Sequence, residues 1–274
     1  MTGGIADCHL HIIDHARHPF RRGVGYTPRP DETGTREALA SLLDAHGVAH
    51  ALLVQPSGYG FDNSAMLEAM EAAPGRYKAI AVISGEESDR ALEDLAERGV
   101  VGLRFNLVNF DPAALAGPGM TRLLARLKAL NWFAQVFAHD AQWQAAGPLL
   151  RQSGVKLLID HFGIGDLAAG LKAPGFQAVL ELGRSGRAAV KLSAPFRVAA
   201  WPDRLGEIEG HAEALLAAFG KENCIWGSDW PFLGMDREIR YRDAMAALAR
   251  WLPDEADRDL VLRRNPARLL GFPS

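Results

Sequence analysis

The sequence has little of several features that mark specialised classes of protein. It contains two cysteines in 274 residues, Cys8 and Cys224, which is too few for a disulfide framework and indicates a reducing compartment. No apolar run approaches the roughly 20 residues that a membrane span requires. The first residues, MTGGIADCHLHI, lack the basic and apolar regions of a secretory signal. We therefore expect a cytoplasmic protein with no membrane partner.

The sequence also lacks an excess of charge of one sign. Its 30 basic and 33 acidic residues leave a formal net charge of −3, so no cationic face is expected to recruit nucleic acid. The chain is 48% hydrophobic, which is ample for a large core and excludes global disorder. No low-complexity tract or Pro/Gly/Ser-rich linker divides it, so residues 1–274 are predicted to form one domain.

Short apolar runs alternate with longer amphipathic segments along the whole chain. The predicted strands lie at 5–13, 50–56, 77–83, 100–108, 132–137, 155–160, 188–193 and 224–229. The predicted helices lie at 35–46, 64–73, 88–98, 121–130, 140–152, 176–185, 206–219 and 241–251, each with alanine and leucine at three- and four-residue spacing. Gly47 and Gly99 directly follow two of these segments, where helix C-caps are expected.

Strands that alternate with helices predict a parallel α/β sheet with both faces covered. Eight such units in about 250 residues match the size of a (β/α)8 TIM barrel. A doubly wound open sheet is the alternative, but the polar residues gather at the carboxyl ends of the strands, where barrel active sites are built. A further C-terminal helix at 254–264 is predicted outside the eight units.

Two histidines lie two residues apart in the first predicted strand. His9 and His11 therefore point to the same face, which at the end of a barrel strand is the interior mouth. Burying two imidazoles in an apolar run is costly without a purpose. The alternative is a pair of hydrogen-bonded core histidines.

Two further ionisable side chains follow later strands. His161 ends the sixth strand in IDHFG, and Asp229 follows the eighth in WGSDWPF. Either alone is typical of an ordinary structural residue. Because a closed barrel brings the ends of strands one, six and eight around one mouth, His9, His11, His161 and Asp229 are predicted to form one site.

Two arginines complete this predicted site. In VVGLRFNLV the alternation places Arg104 and Asn106 on the face opposite Leu103 and Phe105, so Arg104 needs an anionic partner, either a protein carboxylate or a ligand. Arg197 follows the seventh strand in KLSAPFR, either at the same mouth or as an exposed loop residue. A guanidinium pair suits recognition of a substrate carboxylate.

Five segments together resemble a known family. DCHLHI, RFN, IDHFG, KLSAPFR and WGSDWPF occur in this order across nearly the whole chain, as in the amidohydrolase superfamily. The resemblance is strongest to its branch of 2-pyrone-4,6-dicarboxylate lactonase and related lactone hydrolases. It implies that His9, His11 and His161 surround a lactone carbonyl and that Asp229 activates water. It further implies that the substrate contacts are the side chains of Arg104, Arg197, Ser57 and Tyr26.

The chain departs from that branch directly after RFN. The pyrone lactonase has another basic residue there, whereas this chain reads RFNLVNF, with Asn109 and Phe110. One anchor for a second carboxylate is therefore missing, and a substrate with a single carboxylate or a different ring is expected.

A metal is the main open alternative. Superfamily members that hold a metal usually add a histidine or modified lysine at the end of strand five, where this chain has Gln135 and Phe137. Neither is a good ligand for a divalent transition metal, so no cofactor is expected. His9, His11 and Asp229 could nevertheless hold zinc as an open three-ligand site.

The sequence thus predicts a metal-independent hydrolase that opens a carboxylated lactone in aromatic or sugar-acid catabolism. One alternative is a divalent-metal-dependent hydrolase or decarboxylase on the same barrel. Another is a ligand-binding barrel without turnover, which would have little need of an aspartate beside three histidines.

Overall fold

The structure is a computed structural model that describes residues 3–273 except 22, 24, 25, 109–111, 164, 165 and 237. The stretch with Asn109 and Phe110, where the chain departs from the resembling branch, lies outside the described residues. No helix in the described ranges is long and apolar enough to cross a membrane.

The fold is a (β/α)8 barrel, as the sequence predicts. Its strands are β1 Ile5–Leu10, β2 Val48–Val54, β3 Tyr77–Ala81, β4 Val100–Asn106, β5 Phe133–Phe137, β6 Lys156–Ile159, β7 Ala188–Ser193 and β8 Cys224–Gly227. They form one parallel sheet in the order of the sequence. The helices between and after them are α1 Arg36–Ala45, α2 Ser64–Ala72, α3 Asp89–Glu97, α4 Pro118–Ala129, α5 Asp140–Ser153, α6 Pro174–Arg184, α7 Glu209–Phe219 and α8 Tyr241–Ala246.

Local sequence signals set the helix ends. Thr35 and Ser88 precede α1 and α3, and each side chain accepts a hydrogen bond from an amide of the first turn. The residues after these helices include Gly47 and Gly99, with φ of 66° and 94°, a backbone region that favours glycine. The predicted caps are therefore confirmed.

The seam between β1 and β8 closes the barrel next to the predicted site. The amide of Asp229 donates to the carbonyl of His9 at 2.7 Å, and the amide of His11 donates to the carbonyl of Trp230 at 2.9 Å. Asp7 reinforces the seam, because its Oδ1 accepts from the amides of His9 and Ser228 at 3.1 and 3.0 Å. The backbone on either side of the site is thus tied together directly.

The barrel interior is apolar at its base. Eleven buried residues fill it, and Leu270 and Phe272 at the C-terminal end belong to this cluster. Cys8 is completely buried and packs in this cluster. The register of β1 shifts between Asp7 and Leu10, so strict alternation does not hold along this strand.

The C-terminal helix is longer than predicted. Instead of ending at 264, the helical segment runs as Glu255–Asp259, a wide turn at Leu260–Arg264 and Asn265–Leu270. Pro266 is the second residue of the last piece, a first-turn position where a missing amide hydrogen costs little. The proline therefore does not stop the helix.

Gly227 in β8 provides a test of the seam. A Cβ at this position would lie 2.6 Å from both the Cβ and the amide nitrogen of His9, so we expect Gly227→Ala to lower the free energy of unfolding by about 1–3 kcal/mol through overpacking. Chemical denaturation measures this change in the free energy of unfolding. Gly210→Ala in α7 is the control, since its nearest neighbour is Leu171 at 3.7 Å and alanine favours helix. Equal effects of both substitutions would contradict close packing at the seam.

Candidate active site

Three histidines converge on one carboxylate at the carboxyl ends of the strands. Asp229 Oδ1 lies 3.6 Å from Nε2 of His9, 3.3 Å from Nε2 of His11 and 3.9 Å from Nε2 of His161. All four residues are buried. The structure therefore brings together the four residues that the sequence places at one mouth.

Asp229 sits on a turn directly after β8, with φ of 67°. Its Oδ2 accepts a short hydrogen bond from Nε of Arg197. Burial alone would raise the pKa of this carboxyl, but Arg197 and His161 hold the pKa well below its usual range. The carboxylate is therefore ionised, as a general base must be.

The histidines differ in the partner of their second ring nitrogen. His11 Nδ1 is 2.7 Å from the carbonyl oxygen of Val54, and His161 Nδ1 is 3.0 Å from Oγ of Ser193. His161 follows β6 with φ of 48°, a left-handed conformation that is strained for a residue other than glycine. Burial lowers the pKa of His161 to about 4, so this imidazole is neutral near pH 7.

A second buried charge cluster lies behind the histidines, and the sequence analysis did not single it out. Asp160 Oδ2 accepts a hydrogen bond from Nε2 of Gln135 at 3.1 Å, and Asp160 Oδ1 is 3.3 Å from Nζ of Lys191. Burial would raise the pKa of Asp160, but Lys191, His9 and Arg104 hold the pKa well below its usual range. The signal was present in the sequence, because Lys191 interrupts the apolar strand AAVKLS as Arg104 interrupts VVGLRFNLV.

Arg104 has a protein carboxylate nearby and spare donor capacity as well. Its Nε lies 3.6 Å from Asp160 Oδ2, beyond hydrogen-bonding distance, and its Nη1 donates to the carbonyl of Gln55 at 3.3 Å. Within the described residues Nε has no hydrogen-bond partner although it is buried. Both alternatives for Arg104 therefore apply in part.

Arg197 is at the mouth, with 28% of its side chain exposed. Besides Asp229, it donates through Nη2 to the carbonyl of Leu233 at 3.1 Å. The exposed-loop alternative is excluded by these contacts, but both of these donors are directed at the protein itself.

Ser57 and Tyr26 also border the mouth. Ser57 Oγ accepts from Nδ2 of Asn106 at 3.2 Å, and the hydroxyl of Tyr26 donates to Glu32 in a short hydrogen bond. Tyr26 is 41% exposed. Both side chains border the cavity and are therefore accessible to a ligand.

A cavity of about 270 Å³ joins these side chains. Its volume lies at the lower end of the range for ligand pockets, which suits a small ring compound. Its polar lining consists of His11, Tyr26, Ser57, Arg104, Asn106, His161, Arg197 and Asp229. The arrangement combines an ionised carboxylate, neutral imidazole and guanidinium groups around one small space.

Two sets of side chains have the spacing of metal ligands. The ligand atoms of His9, His11 and Asp229 lie within 4.8 Å of one another, and so do those of His9, Asp160 and His161. Both sets are buried. Spacing alone is therefore compatible with a divalent cation at either position.

Comparisons with known proteins agree with the fold and show the family of the chain. The profile of a family described as amidohydrolase matches residues 6–272. A 4-sulfomuconolactone hydrolase from Rhizobium radiobacter is 31% identical over 98% of this chain and 90% of its own length. The crystal structure of a probable 2-pyrone-4,6-dicarboxylic acid hydrolase from Acinetobacter baumannii, with citric acid bound, superposes with a TM-score of 0.88 at 32% identity, covering 98% of this chain and 99% of the other.

A more distant structure shares the fold. It is an amidohydrolase from Burkholderia multivorans with bound zinc, with a TM-score of 0.79 at 23% identity, covering 98% of this chain and 99% of the other. At this level of identity the likeness concerns the barrel alone.

Arg104→Met tests whether the spare donor capacity of this arginine serves a ligand. We expect the variant to bind a carboxylated or sulfonated lactone more weakly by about 2–5 kcal/mol, because the substrate anion loses a buried partner. KM and kcat/KM measure the effect, and circular dichroism checks the fold. The exposed Arg187→Met is the control. Unchanged kinetics with a lowered melting temperature would assign Arg104 to the internal pairing with Asp160 alone.

Proposed function

Because the chain belongs to the amidohydrolase family, we propose that it hydrolyses a lactone that carries an anionic substituent, and that it does so without a metal. The observation that carries the proposal is an ionised, buried Asp229 in contact with three imidazoles at the edge of a small cavity. The relatives act on cyclic esters, which supports a hydrolase of that kind.

In the proposed reaction Asp229 acts first as a base and then as an acid. A water in the cavity gives a proton to Asp229 and attacks the lactone carbonyl, so that a C–O bond forms and the carbonyl electrons move to its oxygen. His11 and His161, whose side chains line the cavity, stabilise this oxyanion. When the ring C–O bond breaks, the proton on Asp229 passes to the leaving oxygen, and the carboxylate is restored. Oxyanion donors are typically worth about 3–4 kcal/mol each.

The charge of the site supports an anionic substrate. Among the described residues, the carboxylates of Asp160 and Asp229 face three cations, Lys191, Arg104 and Arg197. These three cations exceed the two carboxylates by one positive charge, and two of them, Arg104 and Arg197, line the cavity. A carboxylate or sulfonate on the substrate would balance this charge.

The same charge argues against a divalent metal. A dication held by His9, His11 and Asp229 would lie next to Arg197, in a site that is already positive. Buried charges are unfavourable unless they are compensated. The residues present therefore do not fit a zinc ion in this arrangement, and no step of the proposed mechanism involves one.

Arg197 connects substrate binding to the base. While Arg197 is bonded to Asp229, it weakens the affinity of that carboxylate for a proton. A substrate anion that attracts Arg197 would relax this contact and leave Asp229 more basic when water is in place. This role of Arg197 requires that the substrate carry its anionic group close to the scissile ester.

The compounds named for the relatives suggest suitable substrates to test. 4-Sulfomuconolactone carries a sulfonate in addition to the carboxylate of muconolactone, and 2-pyrone-4,6-dicarboxylate has two carboxylates. Because Asn109 and Phe110 supply no further cation, we propose that compounds with a single anionic anchor beside the ring are preferred over the pyrone dicarboxylate. A panel of carboxylated and sulfonated lactones, with their neutral esters as controls, tests this preference.

Asp229→Asn tests the chemistry. The amide keeps the shape of the side chain but cannot take a proton from water, so we expect kcat to fall by at least about 10²–10⁴-fold while substrate still binds. Steady-state kinetics and a binding titration measure the two quantities. Asp236→Asn, at a fully exposed aspartate, is the control. Near-normal kcat in Asp229→Asn would overturn the mechanism, and binding of lactones without turnover by the native protein would favour a binding barrel.

Removal of metal tests the cofactor assignment. We expect the purified protein to contain substoichiometric zinc and manganese and to keep its activity after dialysis against a chelator, because a dication would add to the positive surplus of the site. Inductively coupled plasma mass spectrometry and activity assays before and after dialysis provide the measurements. One tightly held equivalent of zinc whose loss abolishes turnover would refute a metal-free site.

A further inference from the structure

A lysine is buried completely behind the catalytic cavity. Lys191 in β7 has 0% exposure and is not among the residues that line the cavity. Its Nζ is 2.7 Å from Oε1 of Gln135, 3.2 Å from Nδ1 of His9 and 3.3 Å from Oδ1 of Asp160. An ammonium group has three N–H donors and no acceptor, so Lys191 can donate to both Gln135 Oε1 and His9 Nδ1. Asp160 Oδ1 lies within ion-pair distance of Nζ but makes no hydrogen bond within the described residues.

We propose that Lys191 is a positioning residue that fixes the tautomer of His9: Nδ1 accepts a hydrogen bond from the lysine, and Nε2 carries the ring hydrogen toward Asp229. This inference rests on the proposed function only for its effect on catalysis. The tautomer itself follows from the contacts of Lys191 and can be measured without a substrate.

The opposite tautomer fits the contacts less well. It would place a hydrogen on Nδ1 of His9, which lies 3.2 Å from Oδ1 of Asp160. Within the described residues, however, Asp160 Oδ1 makes no hydrogen bond of acceptable geometry, so the ring is not aimed at it. A hydrogen on Nδ1 would also face the Lys191 ammonium at 3.2 Å and leave one of its donors without an acceptor.

The other ring nitrogen of His9, Nε2, faces the carboxylate of Asp229. Nε2 is buried, has no hydrogen-bond partner in the described part of the chain, and lies 3.6 Å from Asp229 Oδ1. With a hydrogen on it, Nε2 is a donor directed at the base, and a small approach would complete the bond. In that state Nε2 has no lone pair for a metal, which disables the set of His9, His11 and Asp229 as a three-ligand site.

His11 differs from His9 in the role of its Nδ1 atom. The carbonyl of Val54 only accepts, so Nδ1 of His11 carries a hydrogen, whereas Nδ1 of His9 accepts one from Lys191. The two rings beside Asp229 are therefore oriented by different partners, a backbone carbonyl for His11 and a buried ammonium for His9.

Nitrogen NMR of the native protein is the direct test. Protein labelled with ¹⁵N-histidine gives a two-bond ¹H–¹⁵N correlation spectrum, in which the His9 signals are assigned by their loss in His9→Gln. We expect a protonated Nε2 and a bare Nδ1 on His9, and a protonated Nδ1 on His11. A protonated Nδ1 on His9 would overturn the proposal, whether or not any lactone is hydrolysed. Failure of the proposed function would instead appear as the absence of turnover with the expected spectrum.

Lys191→Met tests whether the lysine fixes the tautomer of His9. Methionine keeps much of the length of the side chain but cannot donate, so we expect the hydrogen of His9 to move to Nδ1 and kcat to fall by about 10²-fold, typical of the loss of a preorganised donor, with little change in KM. The control is Lys78→Met, at a half-buried lysine in β3.

The His9 tautomer and the kcat of Lys191→Met together distinguish a positioning role of Lys191 from a purely structural one. A folded Lys191→Met with an unchanged His9 tautomer and unchanged kcat would overturn the proposal. If this variant does not fold, the spectrum of the native protein still decides the tautomer.

Discussion

The site depends on the burial of two carboxylates that stay ionised. Asp160 and Asp229 are almost inaccessible to solvent, and burial by itself favours the neutral form of each. Guanidinium and ammonium groups reverse that preference, with Lys191 and Arg104 near Asp160 and Arg197 bonded to Asp229. These cations determine which groups remain neutral, because burial and the neighbouring Lys191 lower the pKa of His9 well below its usual value.

Inside the barrel, a layer of apolar side chains lies beneath this charge cluster. Phe133, Leu158 and Ala189 belong to the buried cluster inside the barrel. Two residues further along the same strands come Gln135, Asp160 and Lys191, the hydrogen-bonded cluster beneath the histidines. The strand periodicity of two therefore stacks a polar layer directly on an apolar one. Electrostatic interactions are stronger where water is excluded, so this apolar layer increases the effect of every charge above it.

Much of the fold and the central residues of the site could be predicted from the sequence. Strand and helix periodicities determine the barrel, and the polar residues at strand ends identify His9, His11, His161 and Asp229 because the closed sheet brings those ends together. Lys191 could have been identified by the argument applied to Arg104. The exact pairing of Arg197 with Asp229 could not, because it joins the loops after β7 and β8 through side-chain geometry that strand periodicity does not specify.

Other residues lie where local patterns do not place them. His211 in α7 is only 5% exposed and packs against Phe176 of α6, although a histidine in a helix commonly faces solvent. The side of β1 on which Cys8 lies depends on a register shift that the pattern of one strand does not reveal. Both positions are set by contacts between elements, where packing overrides the periodicity of either element alone.

The two arginines of the mouth differ in what substrate binding requires of them. Arg104 lines the cavity and, within the described residues, donates one hydrogen bond, from Nη1 to the carbonyl of Gln55, so an anion can bind Nη2 without breaking a hydrogen bond. Arg197 is bonded to Asp229 and to the carbonyl of Leu233, so binding through those donors must replace existing contacts. Desolvated charge pairs are favourable only when well compensated, and an anion near both arginines would compensate the positive surplus of the site. In the proposed reaction, an anion shared between the arginines would strengthen the base at Asp229 only after the substrate has bound, which a neutral lactone could not do.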